Sequence, residues 1–523
     1  MLFQQFVCLC CSSPLSSRTC DSACREQELE RSSVEADAAD FRLFSELCGS
    51  FVFHTSPLFT NGWVSIAERR ACDTAPFPWL QGRLRLHPSP VMSLRCSRDM
   101  ASSFGSALYK QWAKRVFAIE CESSADPLYF ALSPNSESPW DENSKLHQLL
   151  SRAQTYSLCI ASENRIRGAE TYMNLQSKLT RLPETCRVME LTAFFPNQEG
   201  SSIKGFLVQD DRCCQSTERV LRDLLRESGQ SCLCTYRTGE EGRIWQSLGL
   251  LSDGQQKEIL RNCLSLTQTP ELHPSVLNIK NSVVFYKYED AYSVLKECVE
   301  LFPEAKEVLQ IVNQYNGTSK KGRHPVIVIE GLDATGKSTL TEALRDSIQA
   351  TLLKSPHDSI GHLRKTFDLK PPLIRRAFYT LGNYITASVT AKTSETSPVI
   401  VDRFWHSTAA YGIATEVSGK VENLPPHRHE LYQWPQDLLQ PDLVLLLTVS
   451  AEERIRRLEH RGEMKTKEET ELERNNLFRQ KVEATYRRLE NPSCVIVDAS
   501  ASKEEVLKTA LLLIERHCGI KRT

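Results

Sequence analysis

The run Glu330-Gly331-Leu332-Asp333-Ala334-Thr335-Gly336-Lys337-Ser338-Thr339 carries the most specific chemistry in this chain. Gly331, four residues, then Gly336-Lys337-Ser338 match the spacing of a phosphate-binding loop. Backbone N–H groups of such a loop turn inward as an anion nest, and the following helix adds the partial positive charge of its N-terminus. Lys337 then reaches the β- and γ-phosphates of a nucleotide, and Ser338 offers a hydroxyl to Mg2+. The spacing recurs by chance in long chains, but its flanks here are the ones it needs. Val326–Ile329 predicts a buried parallel strand, and residues 338–350 predict a helix.

A second constellation is Asp402-Arg403, which ends the apolar run Val399-Ile400-Val401. A carboxylate emerging beside a phosphate loop can hold a metal-bound water or steer a nucleophile. The neighbouring guanidinium presents a planar fork to phosphate. A third is the basic run Arg454, Arg456, Arg457, Arg461, Lys465 and Lys467, interrupted by Gly462. It suits a solvated helix face, but the glycine predicts a hinged lid that closes over triphosphate and excludes water. His406 has no partner at ligand spacing, so it reads as a core or surface histidine, and no general base is assigned.

These residues must be positioned by a sheet. From residue 325 onward apolar runs alternate with helical ones, the pattern of an α/β, doubly wound, parallel five-stranded sheet. The expected strands are Val326–Ile329, Thr351–Lys354, Val399–Val401, Leu443–Val449 and Cys494–Val497. Ligands of such sheets bind at the carboxyl ends of the strands. Asp333 and Lys337, Lys354 and Ser355, Asp402 and Arg403, and Asp498 with Ser500 all fall there.

Upstream, residues 116–316 read as an α+β domain of unknown role, without a recognisable motif. Val116–Glu120, Ser157–Ile160 and Ser282–Tyr286 predict strands, and residues 216–227 and 292–315 predict helices. Asn316–Arg323, rich in Gly, Ser and Lys, reads as a linker into a domain spanning 317–523. Residues 92–115 form a serine-rich stretch with five basic residues and one acid, Asp99, and an apolar stripe at Phe104, Leu108, Trp112 and Val116. That is the texture of a mitochondrial presequence. Its internal position leads to the expectation that translation begins at Met92 or Met100, with residues 1–91 a poorly ordered upstream extension or a gene-model artefact; the alternative is an ordinary surface helix opening the next domain.

A chain of 523 residues with 41% hydrophobic and 25% charged side chains can bury a substantial core. The net charge of -1 argues against broad electrostatic binding to nucleic acid. The longest strongly apolar run, Leu443–Val449, is too short to span a membrane. Five of 19 cysteines crowd the first 24 residues. Cys8, Cys11, Cys20 and Cys24 lack good zinc spacing, and free thiols are the preferred reading. Only Cys494 and Cys518 fall in the last 200 residues, the usage of a thiol-reducing compartment.

The Glu-Gly-Leu-Asp loop, Asp402-Arg403-Phe404 followed by Ser407, Pro441-Asp442-Leu443 and Asp498-Ala499-Ser500 together resemble the thymidylate kinase branch of P-loop nucleoside monophosphate kinases. The run from Ser397 to Ser450 resembles more closely the UMP-CMP kinases of thymidylate-kinase type. The resemblance covers residues 280–523 well and the region before it loosely. It implies an ATP- and Mg2+-dependent kinase acting on pyrimidine nucleoside monophosphates (UMP, CMP, dUMP, dCMP) in mitochondria. Oligomeric state is left open.

By position, the resemblance places Asp333 at the acceptor sugar, Arg403 at its 5′-phosphate and Phe378 on its base. The loop residues Gly331 to Thr339, with Ala334 and Thr335, hold ATP; Ala499 and Ser500 lie near the adenine; Ser338 and Asp402 serve the metal. Three departures matter. Gly382, then Asn383, stand where thymidylate kinases carry a base-contacting arginine, which turns expectation from thymine toward uracil or cytosine. Ala334 stands where many carry a loop arginine, so the catalytic cation is expected in the lid, at Arg461 first and Arg457 second. Lys354-Ser355-Pro356-His357 retains only the proline of the usual loop. The rival readings are a dTMP kinase and an interaction protein with a vestigial nucleotide site.

Overall fold

An antiparallel barrel precedes a parallel α/β sheet in this chain. The computed structural model describes residues 112–520 apart from 123–124, 135–142, 161, 163, 229–230, 240, 253–254, 316–319, 461–471 and 473. The expected extension 1–91, most of the presequence-like stretch, the cysteine-rich start and Arg461 lie outside the described residues.

The barrel strands are β1 (Val116–Glu120), β2 (Leu128–Ser133), β3 (Gln154–Ile160), β4 (Cys186–Phe194), β5 (Ile203–Asp210), β6 (Ser231–Thr238), β7 (Ile244–Ser252) and β8 (Gln255–Leu266). Their order is β1-β2-β8-β7-β6-β3-β5-β4, and β4 closes on β1 from Val116↔Phe194 to Glu120↔Glu190. Helices α1 (Lys145–Ser151), α2 (Arg165–Leu179) and α3 (Gln215–Ser228) are interleaved with them. Alternation along a strand sends successive side chains to opposite faces. In β3, Tyr156, Leu158 and Ile160 pack outward with Leu175, Leu179, Leu221 and Leu225 of α2 and α3. Cys159 points the other way, into a cluster with Phe117, Phe130, Leu191 and Cys234. Trp112 is fully buried in that same cluster, so the last residues of the presequence-like stretch belong to the barrel. Cys159, Cys232, Cys234 and Cys263 are buried free thiols.

Between barrel and sheet come a 3-10 turn (Pro274–Asn278), α4 (Tyr288–Cys298) and α5 (Pro303–Asn313). Two expectations are corrected here. The single helix over 292–315 is two helices, because Pro303 cannot continue a helix but suits a first helical turn. Ser282–Tyr286 is a turn rather than a strand, with Asn281 at φ 60°. Val283, Val284 and Phe285 are buried there, and a short buried apolar run has the same sequence signature in either state. Val276, Ile279, Val283 and Val284 join the core of the sheet domain, so that domain's packing begins well before residue 317.

The sheet strands are β9 (Val326–Gly331), β10 (Thr351–Lys354), β11 (Val399–Asp402), β12 (Leu443–Thr448) and β13 (Val495–Asp498), all parallel in the order β10-β11-β9-β12-β13. The helices are α6 (Lys337–Ile348), α7 (Asp358–Gly361), α8 (Arg364–Asp368), α9 (Pro372–Thr393), α10 (Trp405–Glu416), α11 (Ala451–His460), α12 (Asn476–Arg488) and α13 (Lys503–Cys518). Ile327, Ile329, Ile400, Leu445 and Leu447 face α6 and α13. Val326, Val328, Val399, Val401, Val444 and Leu446 face α10 and α12 on the other side. Both faces are thus covered, which explains why these strands read as continuous apolar runs. Among the described residues, no helix is long and apolar enough to cross a membrane.

Candidate active site

The carboxyl ends of β9 and β11 meet at the centre of the sheet. Gly331 leaves β9 with φ 143°, and a Cβ there would lie 2.6 Å from the Leu447 carbonyl oxygen, so a side chain has no room. Ala334 takes the left-handed region at φ 64°, and Gly336 caps α6 at φ 96°. Thr335 Oγ1 donates to the Leu332 carbonyl at 2.8 Å, which ties the loop to itself. Ser338 and Thr339 are exposed in the first turn of α6.

Lys337 is buried, its Nζ donating to the Leu332 carbonyl at 2.8 Å and lying 4.0 Å from Asp333 Oδ1. Burial, and then the Arg403 guanidinium nearby, pull its pKa down to about 8. The ammonium therefore rests on its own loop while retaining the reach to turn toward phosphate.

Arg403 joins the two halves of the site. Its backbone sits at φ 63°, with N–H donating to the Ile329 carbonyl at 3.0 Å. Its Nη2 donates to Asp333 Oδ1 and its Nη1 to Ser407 Oγ at 3.0 Å. Burial alone would raise the Asp333 pKa, but Arg403 and Lys337 outweigh it and hold the carboxylate low.

Glu330 was not singled out among the candidate residues, yet it organises the turn. Fully buried, it accepts from Phe404 N–H at 2.8 Å, Ser407 N–H at 3.2 Å, the Ser407 hydroxyl and the Tyr486 hydroxyl at 3.2 Å. Phe404 and Ser407 open α10, whose first N–H groups have no partner within the helix. The carboxylate supplies one, and burial still raises its pKa. The available signal was a charged residue closing a strand whose other residues are apolar.

Asp402 and Ser338 are the residues expected at a metal. Asp402 Oδ1 is buried without a hydrogen-bond partner, an acceptor left for a ligand. One carboxylate, one hydroxyl and substrate phosphates are the set Mg2+ takes, with water filling the remainder. The residues fit.

Asn383, expected at the base, is buried with its amide engaged. Its Oδ1 accepts from Ser355 Oγ at 2.6 Å and its Nδ2 donates to Thr408 Oγ1 at 3.0 Å. Ser355 N–H in turn donates to the Asp402 carbonyl at 3.2 Å, which brings Asn383 within one residue of the site. Gly382 has a packing reason: a Cβ there would lie 2.8 Å from Pro356 Cβ and 3.2 Å from Ile360 Cδ1. Phe378, expected on the base, sits in the core here. The ring is fully buried and stacks on Phe367, with centroids 4.3 Å apart and planes 9° from parallel. In this conformation it is a core residue with no face open to a base.

Arg457, the second choice of cation, spans two loops. Nη1 donates to the Thr335 carbonyl at 3.3 Å and Nη2 to the Ala499 carbonyl at 2.7 Å. Glu453 Oε1 accepts from its Nε at 2.7 Å. Ala499 is buried and its N–H donates to the Thr448 carbonyl at 2.8 Å, while Ser500 is exposed. His406 is a core histidine as expected: Nε2 contacts the Pro492 carbonyl at 2.9 Å, and burial pulls its pKa down to about 4.

Residues 329–510 match the family model for thymidylate kinase. Human UMP-CMP kinase 2, mitochondrial, is 46% identical over 375 residues, which are 69% of this chain and 83% of that protein. A probable thymidylate kinase 1 of Saccharolobus solfataricus is 24% identical over 37% of this chain and 97% of its own length. A probable thymidylate kinase of Pyrococcus horikoshii is 25% identical over 36% of this chain and 95% of its own length. With that fold, phosphate loop and Asp402-Arg403 turn, the chain belongs to the thymidylate kinase-like family of P-loop nucleoside monophosphate kinases.

Proposed function

We propose that this chain transfers the γ-phosphoryl group of ATP to the 5′-phosphate of pyrimidine nucleoside monophosphates, namely UMP, CMP, dUMP and dCMP, and does so in mitochondria. The observation that carries the reading is the Arg403–Asp333 contact. It ties a guanidinium on the acceptor strand to the phosphate loop, so the two half-sites share one edge.

Lys337 and the α6 N-terminus hold the triphosphate, and Arg403 orients the acceptor phosphate in line with it. Asp333 holds Arg403 until the acceptor sugar takes its place. Arg457, anchored on the loop and on Ala499, supplies the cation that Ala334 does not. Ser338 and Asp402 would hold Mg2+, which neutralises charge developing on the phosphates. A preference for uracil and cytosine monophosphates over thymidylate is supported by the human relative and by Gly382, which leaves no arginine for the base. The mitochondrial placement rests on that relative and on the basic stretch 92–115.

The test is phosphorylation of dCMP, CMP, UMP, dUMP and dTMP by the full chain. A dTMP preference overturns the base assignment, and a wild-type protein without turnover favours an interaction module. Retained turnover in Lys337→Ala rules out the phosphate-loop role.

A further inference from the structure

The barrel is attached to the sheet domain at one end of α10, the helix that starts beside Arg403. Lys204 on β5 pairs with Glu416, the last residue of α10, at 2.6 Å. Glu190 on β4 accepts from Ser418 Oγ at 3.2 Å. The Ser418 N–H donates to Ser275 Oγ at 3.1 Å, in the 3-10 turn that follows the barrel, and neighbouring His273 pairs with Glu120 of β1 at 2.9 Å. Lys420 reaches Asp126 at 2.7 Å. Three residues of the segment 416–420, Glu416, Ser418 and Lys420, thus take side-chain contacts from β5, β4 and the β1–β2 connection, which are neighbours in the barrel.

The far end of the same helix is pinned too. Glu330 accepts from the first-turn N–H groups of Phe404 and Ser407. Gly412, in the middle, has no spare room: a Cβ would lie 3.2 Å from Val283 Cγ1. A 12-residue α-helix is a rod of about 18 Å, so a displacement at one end must appear at the other. Arg376 on α9 donates to Thr415 Oγ1 at 3.3 Å, and Lys481 on α12 donates to the Val417 carbonyl, so this end also meets α9 and α12.

We propose that the barrel is a brace for the acceptor half of the site, with Lys204 as a positioning residue that sets the pose of α10 and, through it, of Arg403. The Lys204 ion pair is sheltered enough to matter: the side chain lies over the Tyr172 ring at 5.6 Å. Burial alone would pull the ammonium down, but Glu416, Tyr172 and Glu190 together push it up, so it is held charged. The inference rests on the assignment of Arg403 to the acceptor phosphate.

The test uses the full chain with three proteins: wild type, Lys204→Met and the charge-swapped double variant K204E/E416K. Steady-state kinetics with CMP and with ATP are measured beside hydrogen exchange of residues 403–418. Lys204→Met is expected to raise the KM for CMP about fivefold, while kcat and the KM for ATP stay within about twofold. Exchange in 405–416 accelerates, and the double variant restores both readouts. An unchanged KM for CMP overturns the brace. So does a parallel rise of both KM values with a lowered Tm that the swap fails to rescue, because Lys204 would then only stabilise the fold. If the wild type phosphorylates none of the five monophosphates, the kinase reading fails, and unchanged exchange in 403–418 alone overturns the brace.

Discussion

Arg457 Nη2 donates to the Ala499 carbonyl at 2.7 Å, so a guanidinium of α11 is already seated between the phosphate loop and the loop after β13. A preorganised donor costs no reorganisation when charge develops in the transition state. Arg457→Ala is therefore expected to lower kcat by about 10²-fold, the usual effect of removing one such donor. Arg457→Lys should recover little of it, because a point charge cannot span both carbonyls. Steady-state kinetics under saturating ATP check this.

Lys337 gives ATP binding a pH dependence with a definite sign. The free protein holds its pKa at about 8, chiefly through burial. Phosphate favours the charged form, so binding takes up a proton, and affinity for ATP falls as pH rises through about 8, by up to tenfold per pH unit. For the unliganded fold the depressed pKa is a penalty present below about 8 and relieved as pH climbs toward the ordinary value of 10.5. Calorimetry at pH 7 to 9 in two buffers of different ionisation heat measures the proton uptake.

Glu330→Gln separates structure from charge at the strand end. The carboxylate accepts four hydrogen bonds, and an amide offers one oxygen and a donor that meets other donors. A loss of about 2 kcal/mol of stability is expected, from buried donors left without partners. A lowered kcat with CMP should accompany it as Arg403 loses its register. Thermal unfolding and initial rates report the two effects.

Gly382→Arg is not expected to create a thymidylate kinase. Its Cβ would press on Pro356 at 2.8 Å, so the 355–357 loop must shift first. A cost of about 1–3 kcal/mol is the usual result of overpacking. Activity toward dTMP should not rise, and an acceptor panel measures it directly.

Phe378→Ala should act on the core rather than on base choice. Removing a buried ring that stacks on Phe367 costs about 3 kcal/mol or more. The ratio of kcat/KM for CMP and UMP should stay constant. A changed ratio would put the ring on the base.

Much of the sheet domain was legible in the sequence. Five apolar runs predicted five parallel strands, each found within a residue or two of its expected bounds; the three central strands, buried on both faces, leave least ambiguity. Spacing placed Gly331, Gly336 and Lys337 in the phosphate loop, since that chemistry is local to one turn. Asp402 and Arg403 were placed by the same logic at the end of the neighbouring strand. What the sequence by itself could not determine was anything that depends on a partner distant in the chain. Glu330 gains its role from Ser407 and Tyr486, 77 and 156 residues away. Gly382 is small because of Pro356, Phe378 is closed off by Phe367, and Arg457 is seated by Ala499. The barrel also escaped, because alternation in eight separated strands says nothing about closure until β4 pairs with β1. Local composition encodes local structure, whereas contacts between distant segments are decided only when the whole core packs.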